Sequence, residues 1–401
     1  MEIKLSKRME GFEEGIFQTL NEKKDEAEKQ GKKVYNFTVG TPDFEPAQHI
    51  VDAVCEAASK PENYKYALRD IPELTEAVID RYRTRYGVEL RESEIMSVYG
   101  SQEGIAHIGL SLINEGDVVL VPDPGYPIFT IGPALAGAKL VTYELLPKND
   151  YLPDLEMIAS VYGRHAGGQK AKFMIVSYPL NPICKAAPDS FYEKLIPWAR
   201  ENEILIIHDN AYSDIIYDGR VGRSILSFAG AKEVAVEFYS LSKSFNYTGA
   251  RMAFLVGNET VVQSFKRLRS QIDYGTFLPV QYGAVAALKG PDDCVRKQCA
   301  LYEERRNALC DGFTRLGWKF ERSQGTMFAW AKIPERFGDD DVKFVMELLE
   351  ETGVLCTPGS SFGKLGKGHV RFALVLPVEI IEEALDKVEK SRILADTDIV
   401  K

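Results

Sequence analysis

Between residues 47 and 290 the sequence repeats one pattern: a short run of β-branched and other apolar residues, a turn rich in Gly, Pro or Asp, and a helix-like stretch. Short apolar runs without alternation are typical of strands buried on both faces, and the intervening helices supply the crossovers that parallel strands need. The pattern therefore predicts an α/β fold with a mostly parallel, doubly wound sheet. We predict strands at residues 118–121, 139–143, 173–177, 204–208, 234–239 and 252–256.

The two ends of the chain have a different character. Residues 9–31 are polar and helix-forming, and a strand-like run at 34–39 follows. After residue 290 a long charged helix (294–316) leads to strand-like runs at 325–331 and 370–374. This pattern predicts a smaller α+β domain.

The chain has 401 residues, more than the roughly 250–300 residues that one hydrophobic core usually supports. We predict an N-terminal segment at 1–46 that contributes to the small domain, a large domain at 47–290 and a small C-terminal domain at 291–401.

Composition narrows the class of protein. A net charge of −10 disfavours nucleic acid as a partner, because binding a phosphate backbone requires clustered Lys and Arg. The six cysteines form no CxxC pair, so their spacing indicates neither a metal site nor a disulfide framework. No apolar run approaches the ~18 residues of a membrane span, and the first residues are charged, unlike a signal peptide. We expect a cytoplasmic enzyme with no membrane partner.

Polar residues follow two of the predicted strands. The run at 204–208 leads into Asp209, with Tyr212 three residues later, and the run ending at 239 leads into Lys243, which lies between serines. Arg251 follows within reach. Ligands of open α/β sheets bind at the carboxyl ends of the strands. A lysine that can form an imine, beside an arginine and hydroxyls, suits a phosphorylated carbonyl compound.

These residues carry a resemblance to a known family. The run Ser240-Leu241-Ser242-Lys243, with Arg251 eight residues after the lysine, resembles the SxSK(x7)R cofactor motif of fold-type-I pyridoxal-phosphate aminotransferases of class I/II. The resemblance extends over nearly the whole chain. It implies an aspartate aminotransferase-like fold with a seven-stranded type of sheet, a large domain that binds pyridoxal 5'-phosphate, and transfer of an amino group between an amino acid and a 2-oxo acid. The other matching positions, in family order, are Asn181-Pro182, Asp209-x-x-Tyr212 and Arg371.

The resemblance also implies the catalytic roles. Lys243 would hold the cofactor as a Schiff base and then move the proton between the substrate Cα and the cofactor. Asp209 would pair with the pyridine nitrogen and keep it protonated. Asn181 and Tyr212 would hydrogen-bond the phenolate oxygen of the ring.

Further residues would hold the rest of the cofactor and the substrate. By the same resemblance, Tyr126 would stack on the ring, Tyr66 would reach the phosphate of a neighbouring subunit in a homodimer, and Arg371 would bind the substrate α-carboxylate with help from the backbone at Gly40. Anions bind well at helix N-termini, which is where residues 100–102 are predicted to lie. The residues expected at the phosphate are Ser101, Gln102, Ser240, Ser242 and Arg251.

Within the family the chain looks closest to the LL-diaminopimelate aminotransferase branch and its uncharacterised relatives. That branch usually has Lys at the position of Gln102, Thr-Gly at Ile183-Cys184 and Trp at Ala250. Losing the Thr-Gly turn is expected to reshape the loop beyond the ring. The cofactor residues are intact, so these differences leave the chemistry in place and the substrate open.

Two other functions share parts of this pattern. A C–S β-lyase of cystathionine type also begins with proton removal by the lysine, so the cofactor motif does not separate it from a transaminase. A non-catalytic regulator built on this fold carries an added DNA-binding domain, for which the first dozen residues leave no room.

A histidine beside Asp209 and a glycine-rich run near the C-terminal end are predicted to have structural roles and no role in catalysis or phosphate binding. His208 is predicted to point to the face of its strand opposite Asp209 and to be a packed, hydrogen-bonded residue. The glycine- and serine-rich run 359–364 lacks the spacing of a phosphate loop and is predicted to form a turn near the active site.

Overall fold

The computed structural model describes residues 3–6, 9, 16–391 and 393–394. The chain divides into two compact units. The large unit contains Thr41–Glu303 and Ser323–Met327, and the small unit contains Met1–Gly40, Glu304–Arg322 and Phe328–Lys401. Residues 291–303 therefore belong to the large unit, and the sequence-based domain boundaries at 46 and 290 stay predictions.

A seven-stranded sheet forms the centre of the large unit, as the resemblance implied. Its strand order is β2-β8-β7-β6-β5-β3-β4. Neighbouring strands are parallel except at β8, which is antiparallel to both β2 and β7. The predicted mostly parallel sheet is thus confirmed. The strands are β2 (Ile95–Val98), β3 (Val118–Asp123), β4 (Lys139–Glu144), β5 (Ala171–Ser177), β6 (Leu205–Asn210), β7 (Ala235–Ser240) and β8 (Ala253–Gly257).

The short connection between β7 and β8 explains why β8 runs antiparallel to β7. A parallel neighbour of β7 would need a crossover of about a dozen residues or more, usually containing a long helix. The connection from β7 to β8 has twelve residues, at the lower limit of that length, and its helix, Leu241–Ser244, has only four. The chain instead turns and runs back beside β7. The sequence analysis missed β2, because a run of four residues that includes Ser97 has no clear strand pattern.

Helices cover both faces of this sheet. Apolar residues of α4, α5 and α10 join those of the strands in one buried cluster. On this face Gly104 lets α4 approach closely, since a Cβ there would lie 2.3 Å from the Phe238 ring. Residues of α3 and α7 contact the other face. The helices of the large unit are α2 (Gln48–Ala58), α3 (Pro72–Tyr86), α4 (Ser101–Leu112), α5 (Ile128–Leu135), α6 (Leu155–Tyr162), α7 (Asp189–Asn202), α8 (Ala231–Val234), α9 (Leu241–Ser244), α10 (Glu259–Arg269) and α11 (Leu278–Lys289).

The small unit is an α+β structure, as predicted. A three-stranded antiparallel sheet has the order β11-β12-β9, and β1 pairs in parallel with β10. The boundary between the units falls within α12 (Asp293–Arg315). The remaining elements are α1 (Ile16–Lys29), β1 (Tyr35–Asn36), β9 (Phe328–Lys332), α13 (Asp341–Thr352), β10 (Val354–Leu355), β11 (Thr357–Pro358), β12 (His369–Ala373) and α14 (Val378–Ser391). Residues 10–15 of the predicted N-terminal helix lie outside the described residues.

Candidate active site

One edge of the large sheet collects most of the predicted site residues. Strands β3, β5, β6 and β7 are parallel to one another and end at this edge. Strand β8 is antiparallel to both β7 and β2, so β2 runs in the same direction as β7 and ends at the same edge. The strand order reverses between β3 and β5, and ligands of open α/β sheets bind at such a reversal. The residues at the ends of these strands, in the segments that follow them, or just before β8 at the same edge are Ser101, Gln102, Tyr126, Asn181, Asp209, Tyr212, Ser240, Ser242, Lys243 and Arg251.

The start of α4 and the side chain of Arg251 form an anion-binding arrangement. Arg251 donates from Nη1 to the carbonyl of Thr248 (2.9 Å) and from Nη2 to that of Tyr99 (3.3 Å). Its guanidinium lies against Gly100, where a Cβ would lie 2.3 Å from Nη2. The buried hydroxyl of Ser101 has no hydrogen-bond partner within the described part of the chain. A guanidinium, free N–H groups of a helix N-terminus and an available hydroxyl suit a phosphate.

Asp209 is a buried acid at the end of β6. Its side chain lies on the same face of the sheet as Phe238 of β7, and Oδ1 is buried without a hydrogen-bond partner among the described residues. Burial raises the pKa of its carboxyl to about 7, with His208 opposing and Glu237 adding to the rise. A carboxyl in this environment takes up a proton readily, or pairs with a protonated nitrogen that approaches Oδ1.

Lys243 lies in the single turn of α9, where neighbouring groups fix its backbone. Ser240 caps the turn by accepting from the N–H of Ser242 (3.2 Å). The amide of Gln298 donates to the carbonyl of Lys243 (2.7 Å) and accepts from the side chain of Asn246 (2.8 Å). The lysine side chain is partly buried, which suits an amine that must react with a carbonyl group.

The aromatic and amide residues of the site follow β3, β5 and β6. Tyr126 donates from its hydroxyl to Gln102 (3.2 Å), and the side chains of Asn181 and Tyr212 are buried. Cys184 has φ +65°, a left-handed conformation that favours glycine. Cys184 therefore adopts, without being a glycine, a backbone conformation that a glycine turn would use, and the reshaping of the loop stays a prediction.

Arg371 lies in β12 of the small unit between two aromatic rings. The guanidinium carbon is 4.0 Å from the centroid of Phe328 and 4.6 Å from that of Phe362, and the side chain is buried. The faces of the two rings attract the guanidinium charge, and a guanidinium is a side chain that binds planar anions such as carboxylates. Residues 359–366 form two short 3-10 turns, which confirms the predicted turn. The predicted Gly40 belongs to the same unit, where a Cβ would lie 3.9 Å from Phe328.

Tyr66 lies apart from these residues on the surface of the large unit. Its side chain is 78% exposed, and its ring contacts Tyr274 with a centroid distance of 4.9 Å. Within one chain it contributes nothing to a buried site.

Sequence reasoning missed a buried ionic cluster around Asp214, which comes two residues after Tyr212. Oδ1 of Asp214 lies 2.7 Å from Nε of Arg85 and 3.4 Å from Nη2 of Arg81, and Oδ2 accepts from the hydroxyl of Tyr239 (2.9 Å). Burial would raise the pKa of this carboxyl, but the Arg85 and Arg81 guanidinium groups hold it below its ordinary value. The sequence contains one sign of this cluster: Arg81 and Arg85 are four residues apart, so their side chains lie on the same face of α3.

Replacing Asp214 with alanine is expected to lower the free energy of unfolding by about 3–5 kcal/mol, because the buried Arg81 and the half-buried Arg85 lose a common counter-ion. Urea denaturation followed by circular dichroism measures this. The matched control is Asp189→Ala, which breaks an exposed pair with Arg223 and should cost at most about 1 kcal/mol. Equal losses in the two variants would contradict a structural role for the cluster.

His208 has the predicted packed role on the opposite face of β6 from Asp209. Its Nδ1 lies 2.8 Å from Oε2 of Glu237, and both side chains are fully buried. Glu237 also accepts from the hydroxyls of Tyr82 (2.7 Å) and Ser224 (2.9 Å) and from the N–H of Ile225 (2.9 Å). This confirms a hydrogen-bonded core histidine, and Glu237 is a further buried acid that the sequence analysis did not single out.

Comparisons with known proteins agree on one family. Residues 32–388 match the family described as aminotransferase class I and II. The chain is 41% identical to LL-diaminopimelate aminotransferase of Halothermothrix orenii over 92% of this chain and 93% of that protein. It is 40% identical to glutamate-pyruvate aminotransferase AlaC of Escherichia coli, over 92% and 89% of the two chains. These names are those of aminotransferases, which favours transamination over the β-lyase alternative.

Solved structures give the same result. BacF from Bacillus subtilis without substrate superposes with a TM-score of 0.91 at 36% identity, over 97% of this chain and 98% of that one. A single mutant of Thermus thermophilus aspartate aminotransferase superposes with a TM-score of 0.89 at 26% identity, over 97% and 100%. Among the described residues, no helix is both long and apolar enough to cross a membrane. From its sequence, its sheet topology and these similarities, the chain belongs to the class I and II aminotransferase family.

Proposed function

We propose that Lys243 is the catalytic lysine of this pyridoxal-phosphate-dependent aminotransferase, which moves an amino group between an amino acid and a 2-oxo acid. The observation that carries the proposal is the meeting of Lys243, the buried acid Asp209 and the anion-binding group of Arg251 and Ser101 at one edge of the sheet. Two of these groups, Oδ1 of Asp209 and Oγ of Ser101, are buried polar atoms that a bound cofactor would satisfy.

When bound, pyridoxal phosphate supplies an electron-accepting ring that stabilises the negative charge left on the substrate Cα after loss of its proton. Lys243 Nζ would hold the cofactor and would move the proton at the substrate Cα. Asp209 would hold a proton at the ring nitrogen, and burial raises the pKa of its carboxyl to about 7. Asn181 and Tyr212 would orient the ring through its phenolate oxygen.

Arg251, Ser101, Ser240 and Ser242 would bind the phosphate, with Gln102 at the same helix start. Tyr126 would lie against the ring, and its hydrogen bond to Gln102 connects the ring site to the phosphate site. These contacts would hold the cofactor in one orientation relative to Lys243.

Arg371 would bind the substrate α-carboxylate, with the backbone of Gly40. The buried guanidinium beside the rings of Phe328 and Phe362 supports this, because a guanidinium can bind a carboxylate through two parallel hydrogen bonds. We propose LL-diaminopimelate, L-glutamate and L-alanine as the first donors to test, because these are the amino acids that the names of the relatives contain or imply.

A half-reaction screen tests the function. The cofactor-loaded protein is mixed with each amino acid in turn, and loss of the absorbance of the lysine-bound cofactor is followed together with formation of the 2-oxo acid. We expect at least one donor to react and a second 2-oxo acid to restore the absorbance. Release of pyruvate, ammonia and a thiol from cystathionine, without any such restoration, would make the protein a β-lyase instead.

A substitution at Gly100 tests the phosphate site. Gly100→Ala should raise the Kd for pyridoxal phosphate by roughly ten- to a hundredfold, because the new Cβ displaces Arg251 and a charge-assisted hydrogen bond contributes about 1.5–3 kcal/mol. Gly116→Ala is a matched control, since Gly116 has a similar φ of +85° but nothing within 4 Å of its Cβ position. Absorbance titration of cofactor-stripped protein gives both constants. Similar affinities in the two variants would place the phosphate elsewhere.

We also propose a homodimer in which Tyr66 reaches the phosphate of the neighbouring subunit. An exposed aromatic and aliphatic patch around Tyr66 supports this, because surface patches of this kind usually mark protein interfaces. The patch consists of Tyr64, Tyr66, Leu68, Ile272, Tyr274 and Phe277. Light scattering should give twice the mass of one chain, and Leu68→Glu should shift the protein from dimer towards monomer.

All six cysteines are free thiols, which fits a reducing compartment and the proposed cytoplasmic location.

A further inference from the structure

The segment Ser240–Lys243 is flanked by two residues that bind the same carboxylate. Tyr239, the residue before it, donates its hydroxyl to Oδ2 of Asp214 at 2.9 Å. Ser244, the residue after it, lowers the pKa of Asp214 through a side-chain hydrogen bond. One buried carboxylate therefore contacts both ends of the segment that carries the predicted phosphate serines and the catalytic lysine.

This segment needs support from outside itself. Helix α9 has four residues, and a helix of one turn is not stable alone, since each turn fixes many backbone angles for few hydrogen bonds. The backbone leaves the helix through Asn246, whose φ of +55° is uncommon for a residue other than glycine. Tertiary contacts, rather than helix propensity, must set where Lys243 lies.

Asp214 is itself held firmly. Arg85 and Arg81 of α3 contact Oδ1, and Arg81 is held in turn by Asp292 at 2.7 Å. The arginines keep the pKa of Asp214 low against the effect of burial, so its carboxylate remains an acceptor. Burial raises the pKa of Tyr239 well above its ordinary value, so its hydroxyl remains a donor. The hydrogen bonds at Asp214 are therefore charge-assisted, and such bonds are stronger than neutral ones.

Asp214 also belongs to the loop that carries Tyr212. The N–H of Ile215 donates to the carbonyl of Tyr212 (2.9 Å), which closes a tight turn containing Asp214. In the same loop Ser213 Oγ lies 2.8 Å from the hydroxyl of Tyr86 of α3. The loop after β6 and the segment after β7 are thus joined through one carboxylate.

We propose that Asp214 is a positioning residue for the cofactor: by binding Tyr239 and Ser244 it fixes Ser240, Ser242 and Lys243 relative to Tyr212. The proposal rests on the proposed function, in which Lys243 and the two serines hold pyridoxal phosphate. Asp214 does not itself touch the cofactor and acts only through its two hydrogen-bond donors.

Two conservative variants test this without breaking the ion pairs. Tyr239→Phe and Ser244→Ala, singly and together, each remove one hydrogen bond to Asp214. Tyr82→Phe is the matched control, because Tyr82 is an equally buried tyrosine that donates to a different buried carboxylate, Glu237. Absorbance titration gives the Kd for pyridoxal phosphate, and fluorescence titration gives the Kd for pyridoxamine phosphate, which cannot bond the lysine. Thermal unfolding of cofactor-stripped protein reports stability separately.

We expect the double variant to bind both cofactor forms about tenfold more weakly and each single variant to lie between it and the parent. Tyr82→Phe should lower the unfolding temperature by a similar amount while both Kd values stay within twofold of the parent. Unchanged cofactor affinity in the double variant, or an equal loss in Tyr82→Phe, would overturn the positioning role. A Lys243→Ala variant that still bonds the cofactor covalently would refute the proposed function, which distinguishes that failure from this one.

Discussion

Replacing Lys243 with alanine is expected to abolish the covalent bond to pyridoxal phosphate and to lower the transamination rate by at least about 10⁴-fold. General acid–base catalysis alone contributes roughly 10²–10⁴-fold, and the same amine also provides the resting bond to the cofactor, so both contributions disappear together. Borohydride reduction followed by peptide mass analysis should find the cofactor on Lys243 in the parent protein and on no residue of the variant. Single-turnover kinetics with the best donor give the rate.

The control for this substitution is Lys289→Ala, which removes an exposed lysine paired with Glu76. Such surface pairs contribute at most about 1 kcal/mol to stability, so this variant should keep the parent rate and the covalent cofactor. A Lys243→Ala protein that retained the rate, or a cofactor found on another lysine, would contradict the role given to Lys243.

The second large effect is expected at Asp209. Asp209→Asn should lower the transamination rate by about 10²–10³-fold while the cofactor stays bonded to Lys243, because a single preorganised electrostatic group commonly contributes that much. Without the carboxylate the ring nitrogen loses its proton and accepts less negative charge from the substrate Cα. The ¹⁵N chemical shift of ring-labelled cofactor measures that protonation directly. Asp189→Asn, at an exposed ion pair, is the control and should leave both the shift and the rate unchanged.

The same residue predicts a pH dependence in cofactor-stripped protein. The pKa of Asp209 is about 7 in the folded protein and 3.8 in its ordinary state, so the folded protein binds the extra proton between these values. The stability contributed by this proton is present at low pH and is lost as the pH rises through about 7. Urea denaturation of the parent should show this loss relative to Asp209→Asn. Parallel profiles for the two proteins would mean that Asp209 titrates normally.

The spacing of the motifs and the direction of the strands explain why the residues of the candidate site could be predicted to lie close together. Ser240, Ser242, Lys243 and Arg251 lie within twelve residues, so their proximity follows from chain connectivity. Asp209 was found because a buried strand ending in an acid delivers it to the carboxyl edge of a parallel sheet, where β7 delivers Lys243. These inferences needed only the type of each strand and its direction.

The Asp214 cluster was not predictable in this way. Arg81 and Arg85 are well over a hundred residues from Asp214, and each resembles an ordinary surface charge of a helix until α3 packs on the sheet. Likewise, the antiparallel direction of β8 and the presence of β2 follow from which strands pair, and pairing is a long-range choice.

The sequence by itself determined the family and cofactor of this protein, because a lysine, an acid, serines and an arginine at family spacing indicate pyridoxal phosphate and predict a covalent bond to the lysine. The tertiary structure alone decided the environment of those groups. Burial raises the pKa of Asp209, the rings of Phe328 and Phe362 contact the Arg371 guanidinium, and two arginines hold the pKa of Asp214 below its ordinary value. The physical reason is that the bonds a side chain can form depend on its own chemical groups. Its burial and the charges near it depend on residues that are distant in sequence and that only folding brings together.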